Sequence, residues 1–250
     1  MSSNRLSLLG SVINPLSLGH LALWIDPTDA SSISTDTGGV SQANDKSGNG
    51  YHLTQGTSGN RPDYSSTLNG RNIITFAGGP DYLQRTSSTN IGRNVAGLTA
   101  YMAWKTDSTP TARQNLLVIQ DATTATRFAF YAGLTSNKLT TQARRIDAET
   151  AATATGSANL GTGWHIGTAV IDHVAGTITQ YLDGASDGSA SLSSSGGNSS
   201  DTASPSIVLS SGNSSFDLVG GFGGAAVFHA PHDAAARKAM WGFYRNRLRI

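Results

Sequence analysis

Residues 163 to 184 constrain the fold of this chain more than any other stretch. Trp164 to Asp172 and Thr177 to Leu182 are two short apolar runs, and Ala175-Gly176 supplies the turn between them. Asp183-Gly184 then turns the chain out again. Two such runs around a turn predict an antiparallel β-hairpin.

The same grammar recurs from residue 21 to residue 230. Leu98 to Lys105 reads as a strand followed by a polar turn at Asp107 to Pro110. Asn115 to Gln120 is a continuous apolar run, the pattern of a central strand buried on both faces. In Arg127 to Ala132, Phe128 and Phe130 share one face while Arg127, Ala129 and Tyr131 share the other. Lys138 to Arg145 reads as a polar partner strand, and Ile207 to Leu209 and Ala225 to Phe228 as core strands. Residues 185 to 204 carry almost no apolar side chain and predict a solvated loop. Gly220 to Gly224 predicts a tight loop or a bulge. The chain closes on a helix over 233–248: Asp233 suits its first turn, and Ala236, Met240, Phe243, Tyr244 and Leu248 form an apolar stripe at helical spacing.

Ahead of the hairpin, further blocks follow in order. Leu23-Trp24-Ile25-Asp26 ends a short apolar run in a carboxylate, and Asp45-Lys46-Ser47-Gly48-Asn49-Gly50 is a dense polar turn. Arg61-Pro62-Asp63-Tyr64, Asn69-Gly70-Arg71 and a segment from Phe76 closing on Asp81-Tyr82-Leu83 come next. Together with the Trp164-His165 hairpin and the terminal helix, this succession resembles bacterial and phage laminin G-like jelly rolls of the concanavalin A-like lectin/glucanase superfamily. The resemblance spans most of the chain. It implies an all-β, two-sheet antiparallel jelly-roll sandwich over 21–250, with a short N-terminal arm over 1–20 and a C-terminal helix. Two positions depart from the family pattern: Ala43 stands where a Trp is usual, and Phe76-Ala77-Gly78 replaces Phe-Asp-Gly.

Composition narrows the function. Charged residues make up 13% of the 250 and the formal net charge is +1, with no concentrated basic stripe. Phosphate neutralisation needs such a stripe, so no nucleic-acid partner is expected. The absence of cysteine removes disulfides, thiolate metal sites and cysteine nucleophiles. Gly10, Asn14, Pro15 and Gly19 interrupt the first apolar stretch, so neither a signal peptide nor membrane insertion is expected.

Catalysis in the glucanase branch would need paired carboxylates on a strand, and Glu149 is the one glutamate in the chain. Gly220 to Gly224 is glycine-dense but lacks the lysine of a nucleotide-binding loop. The expectation is a non-catalytic protein that requires no cofactor. Rim calcium sites are common in the superfamily, so the resemblance implies Asp26, Asp29, Asp45 and Asn49 as candidate calcium ligands; the same residue types also make Asx turns. Sugar recognition needs an aromatic platform and a few planar polar groups, for which Asp81, Tyr82, Arg127, Tyr131 and Arg144 are the candidates. Trp24, Trp164 and Trp241 are expected in the core, with Trp104 on either sheet face. His165 is expected to pack within the sheet, and His229 and His232, around Ala230-Pro231, to mark a strand-to-helix corner.

Leu6, Leu8, Leu9, Val12 and Ile13 make the first twenty residues either a strap that closes the sandwich or an arm that docks on a partner. With the resemblance, the arm reading implies a phage or phage-like virion protein: a head or tail fibre, spike or decoration subunit. It would be made in the bacterial cytoplasm, assembled as a homo-oligomer with other virion proteins, and turned toward cell-surface polysaccharide. A free carbohydrate-binding module or adhesin is the alternative, and a polysaccharide-degrading glycosidase the less favoured third reading.

Overall fold

Alternation along the strands builds two sheets. The computed structural model describes residues 13–86, 89–120, 126–200, 205–211 and 216–250. In chain order the strands are β1 Leu21–Ile25, β2 Ile33–Asp36, β3 Gly39–Ala43, β4 Leu53–Thr54, β5 Thr67–Leu68, β6 Arg71–Asn72, β7 Ile74–Ala77, β8 Tyr82–Arg85 and β9 Gly97–Thr106. They continue with β10 Gln114–Gln120, β11 Thr126–Ala132, β12 Leu139–Ala143, β13 Ala152–Thr155, β14 His165–Asp172, β15 Thr177–Leu182, β16 Ala185–Ser191, β17 Ser206–Ser210 and β18 Val219–Phe228. Helix α1 is Ala234–Leu248.

The first sheet runs β1-β18-β9-β14-β15-β16, with β7 also paired to β18. The second runs β13-β12-β11-β10-β17-β8-β4-β3-β2, and β5-β6 is a separate ribbon. Every pairing between these strands is antiparallel. Leu98, Met102 and Trp104 of β9, Phe128 and Phe130 of β11 and Ile178 of β15 point into one core between the sheets. Burial of side chains this size contributes about 1.5–3 kcal/mol each. The arrangement is an all-β jelly-roll sandwich with one C-terminal helix, as the sequence predicts. Asn115 to Gln120 is indeed a central strand, with Leu116 to Ile119 buried throughout.

Helix α1 lies on the outer face of the first sheet. Asp233 caps it, its Oδ1 accepting from the Ala236 N–H at 2.8 Å. Met240, Phe243, Tyr244 and Leu248 pack on Trp24, Tyr101, Ile166 and Phe228. At the helix C-terminus, Asn69 of the β5–β6 turn donates to the Leu248 and Arg249 carbonyls at 3.2 and 3.0 Å. Arg247 reaches Asp26 at 2.8 Å, tying the helix to the end of β1.

Of the tight loop or bulge expected at Gly220 to Gly224, the structure shows the bulge: the stretch is the first half of β18, with the register shift between Phe222 and Gly224. Bare backbone is needed there because the helix sits so close: a Cβ on Gly223 would lie 2.6 Å from Leu248 Cδ1, and one on Gly221 would lie 3.0 Å from the Trp164 ring. Part of the predicted 185–204 loop is the edge strand β16. Its anchor is Asp187, which accepts from the Ser157 and Ala158 N–H groups at 3.0 and 2.8 Å and from Gln180 Nε2 at 2.9 Å. These bonds join the two sheets along one side, and no apolar pattern is needed to make them.

Buried imidazoles add a pH dependence. Burial holds His173 and His232 near a pKa of about 4, against an ordinary 6.5. The unfolded chain therefore takes up these protons first, and stability falls as pH drops from about 6.5 to about 4. Asp29 acts lower: its bond to Lys46 holds it at about 2, so its contribution is present above its ordinary 3.8 and is lost as pH falls toward about 2. We predict that His173→Gln, followed by urea unfolding against pH, flattens the upper window by one proton, about 1.4 kcal/mol per pH unit. An unchanged slope would refute the assignment.

Two glycines test the helix seat with opposite signs. Gly223→Val should destabilise by about 1–3 kcal/mol through overpacking. Gly242→Ala, inside α1 with nothing near its Cβ position, should stabilise by about 0.8–1 kcal/mol. Denaturant midpoints check both.

Candidate functional site

Where α1 ends its cover, the outer face of the first sheet is left open as a groove of about 460 Å³. Its floor is the cross-strand pair Thr168 of β14 and Tyr181 of β15. Ala234, Arg237, Lys238 and Trp241 form the helix wall, and Asp183, Gly184 and Ala185 close the end. Helical periodicity explains the wall: positions 237, 238 and 241 lie beside the apolar stripe, three and four residues apart and so on one side of the helix.

Each side chain is held. The Arg237 guanidinium lies 4.2 Å over the Tyr181 ring and donates from Nη1 to the His232 carbonyl at 2.9 Å. Trp241 is half-buried against Gly184; a Cβ there would come within 3.2 Å of the indole. Gly184 has φ +85°, which a glycine adopts without strain. Asp183 accepts from the Ile166 N–H at 2.7 Å and meets His165 Nδ1 at 2.9 Å, so its carboxylate is engaged at both oxygens. On the far side of Trp241 a second depression of about 170 Å³ is lined by Trp164, Arg245 and Ile250. Lys238 is exposed and makes no ion pair or hydrogen bond among the described residues.

A groove with a half-buried indole, a phenol floor and fixed planar polar groups can stack a flat, C–H-bearing ligand face and hydrogen-bond its edges. Asp183 is the one carboxylate in its lining, whereas most glycoside hydrolases work through two.

The residues predicted for sugar binding are not gathered into one site. Arg127 and Arg144 meet at Asp147, at 2.8 and 3.4 Å, and both are about 95% buried. With His173 they line a cavity of about 10 Å³, too small for a sugar ring. Tyr131 is buried on the second sheet's outer face under Arg113, 4.0 Å away. Asp81 and Tyr82 are at β8, three strands from β11 or about 14 Å across the sheet. Asp81 accepts from the Ala77 N–H at 2.9 Å, and burial raises its carboxyl above the ordinary value.

The calcium candidates are engaged in other bonds. Asp26 and Asp29 face Lys46 at 3.4 and 2.5 Å, and Asp26 also faces Arg247. Asp45 accepts from the Trp24, Ser47 and Tyr51 N–H groups at 2.9–3.0 Å. Asn49 donates to the Leu21 and Ala22 carbonyls at 3.1 and 3.0 Å. Among the described residues no three Asp, Glu or His side chains form a metal-ligating group. Of the arm residues, Leu6, Leu8, Leu9 and Val12 lie outside the described residues, and Ile13 is half-buried ahead of a short 3-10 turn at Pro15–Leu18. His232 bonds Tyr101 through Nδ1 at 2.8 Å while His229 accepts from the Gly92 N–H at 3.1 Å, so the corner histidines turn apart.

Sequence reasoning missed the groove by placing Trp241 in the core. The signal was present in Arg237, Trp241 and Arg245, an i, i+4, i+8 line beside the apolar stripe.

No family model and no curated protein matches the chain. Solved structures do. The binding domain of botulinum neurotoxin serotype D/C VPI 5993 superposes with a TM-score of 0.61 at 13% identity, covering 92% of this chain and 53% of that one. The heptameric SAP-like pentraxin of Limulus polyphemus gives 0.51 at 14% identity, over 66% and 79%. Trypanosoma rangeli sialidase gives 0.57 at 12% identity, over 91% and 33%. The chain thus spans about half the length of the toxin binding domain, and the likeness establishes a jelly-roll β-sandwich architecture.

Proposed function

We propose that this chain is a non-catalytic glycan-binding protein that works through the groove between α1 and β14–β15. The observation that carries the reading is Trp241: a half-buried indole beside a tyrosine floor, with Arg237, Asp183 and Thr168 at its edges. Sugar rings present one apolar C–H face and a hydroxyl rim, which matches an aromatic wall bordered by planar hydrogen-bonding groups. The single, already engaged carboxylate supports binding without hydrolysis. Glycan ligands among proteins of the same architecture support it further. One botulinum neurotoxin DC binding domain forms a complex with SialylT, and cell entry of botulinum neurotoxin type C depends on interaction with two ganglioside molecules.

The carrier we propose is a phage or phage-like particle made in the bacterial cytoplasm. Residues 1–20 attach the domain to neighbouring virion proteins, and several copies on one particle raise weak contacts with cell-surface polysaccharide to useful avidity. The resemblance of the early sequence blocks to phage laminin G-like jelly rolls and the apolar line Leu6, Leu8, Leu9, Val12 and Ile13 support this.

A microarray of bacterial polysaccharides tests the site. Wild-type protein should be captured, and Trp241→Ala should bind about tenfold more weakly with its circular dichroism retained, as loss of one stacking platform implies. Absence of capture, or capture unaffected by Trp241→Ala, would refute it. Deleting residues 1–20 should leave glycan capture intact and stop incorporation into particles; a truncated chain that still assembles would remove the attachment role.

A further inference from the structure

We infer that the groove selects acidic glycans, sugar chains bearing carboxylate groups; this rests on the reading of the groove as a glycan site. The charges around Trp241 are unbalanced. Arg237 and Lys238 both line the groove, and neither has a carboxylate partner among the described residues. The one lining carboxylate, Asp183, already holds the His165 ring and the Ile166 N–H. The lining thus carries two cations against one carboxylate.

Other cations of the chain also lack a carboxylate among the described residues; what sets Arg237 and Lys238 apart is that both line one groove beside a half-buried indole. In a protein with only 13% charged residues, two unpaired cations beside a half-buried indole are a local concentration of positive charge.

The spacing suits a sugar acid. Positions 237 and 238 stand four and three residues before Trp241, with Cβ atoms about 5–6 Å from it, roughly the width of one pyranose ring. A ring stacked on the indole can thus turn a carboxylate toward both cations. Arg237 is pre-set for this role. Tyr181 holds its guanidinium flat and the His232 carbonyl takes one Nη1 hydrogen, leaving the planar fork to pair with a carboxylate.

Paired spots of native and carboxyl-reduced uronic-acid polysaccharides, printed beside neutral and sulfated glycans, test the inference with the full chain. Native acidic spots should capture the protein, and carboxyl reduction should abolish capture. Lys238→Gln should weaken binding about threefold and Arg237→Gln about tenfold. Lys238→Glu, at an exposed position that leaves the fold alone, should weaken it further than Lys238→Gln. Raising NaCl from 50 to 500 mM should weaken capture as well, since screening shortens the reach of both cations. Equal capture before and after reduction would overturn the acidic preference and leave the glycan reading standing. Equal capture of sulfated glycans would overturn the carboxylate assignment, and no capture of any glycan would overturn both readings.

Discussion

Contact between helix α1 and the glycine face of β18 sets where Arg237, Lys238 and Trp241 stand against β14 and β15. Gly221, Gly223 and Gly224 sit under Trp164, Leu248 and Tyr244, and a Cβ at Gly221 or Gly223 would press into the side chain above. β18 also lies one strand in from the edge of its sheet, pairing with β7 along its first half, β1 along its second, and β9 along both. The bulge between Phe222 and Gly224 falls where the edge partner changes. One strand thus organises the sheet and seats the helix, and the seat determines how much sheet the helix leaves uncovered. The groove is that remainder.

Polar anchors then lock the seat at both ends. Asp26, 2% exposed, takes Arg247 from the helix and Lys46 from the polar turn, while Lys46 also lies 4.5 Å over the Trp24 ring. Asp45 ties the same turn to β1 through the Trp24 N–H. A buried ion pair of this kind offsets its own desolvation and chiefly specifies geometry, because leaving either partner alone is costly. Among the groove's charges the logic reverses: Lys238 is exposed, Arg237 is held by Tyr181 and the His232 carbonyl, and neither meets a carboxylate among the described residues.

Much of this was legible in the chain, and the limits have physical causes. The Trp164 to Gly184 hairpin, the two-faced burial of Asn115 to Gln120 and the stripe from Met240 to Leu248 are local patterns, and each is found in place. The Asp45 to Gly50 turn pointed to the fold, and its side chains are engaged in holding β1. Strand β16 was hidden because its order comes from Asp187, whose partners Ser157 and Ala158 are about thirty residues earlier. Gly220 to Gly224 reads as a tight loop or a bulge because glycine disfavours strands; the bulge is there, and the strand around it is set by pairing with β7 and β9, which no local pattern reveals. Trp241 looked like core because an indole in an amphipathic helix normally is. Its role depends on Tyr181, sixty residues away on another element. Arg127 and Arg144 were legible as planar polar groups, but not as partners of Asp147.

The sharpest test observes the four tryptophan indole N–H signals by NMR during titration with a captured polysaccharide. Trp24 and Trp104 are buried, at 6% and 0% exposure, whereas Trp241 lines the groove. The account predicts that the Trp241 signal moves with saturable dependence on ligand, Trp164 follows weakly from the adjoining depression, and Trp24 and Trp104 stay fixed. A Trp241 signal that stays fixed at polysaccharide concentrations that saturate capture would contradict it.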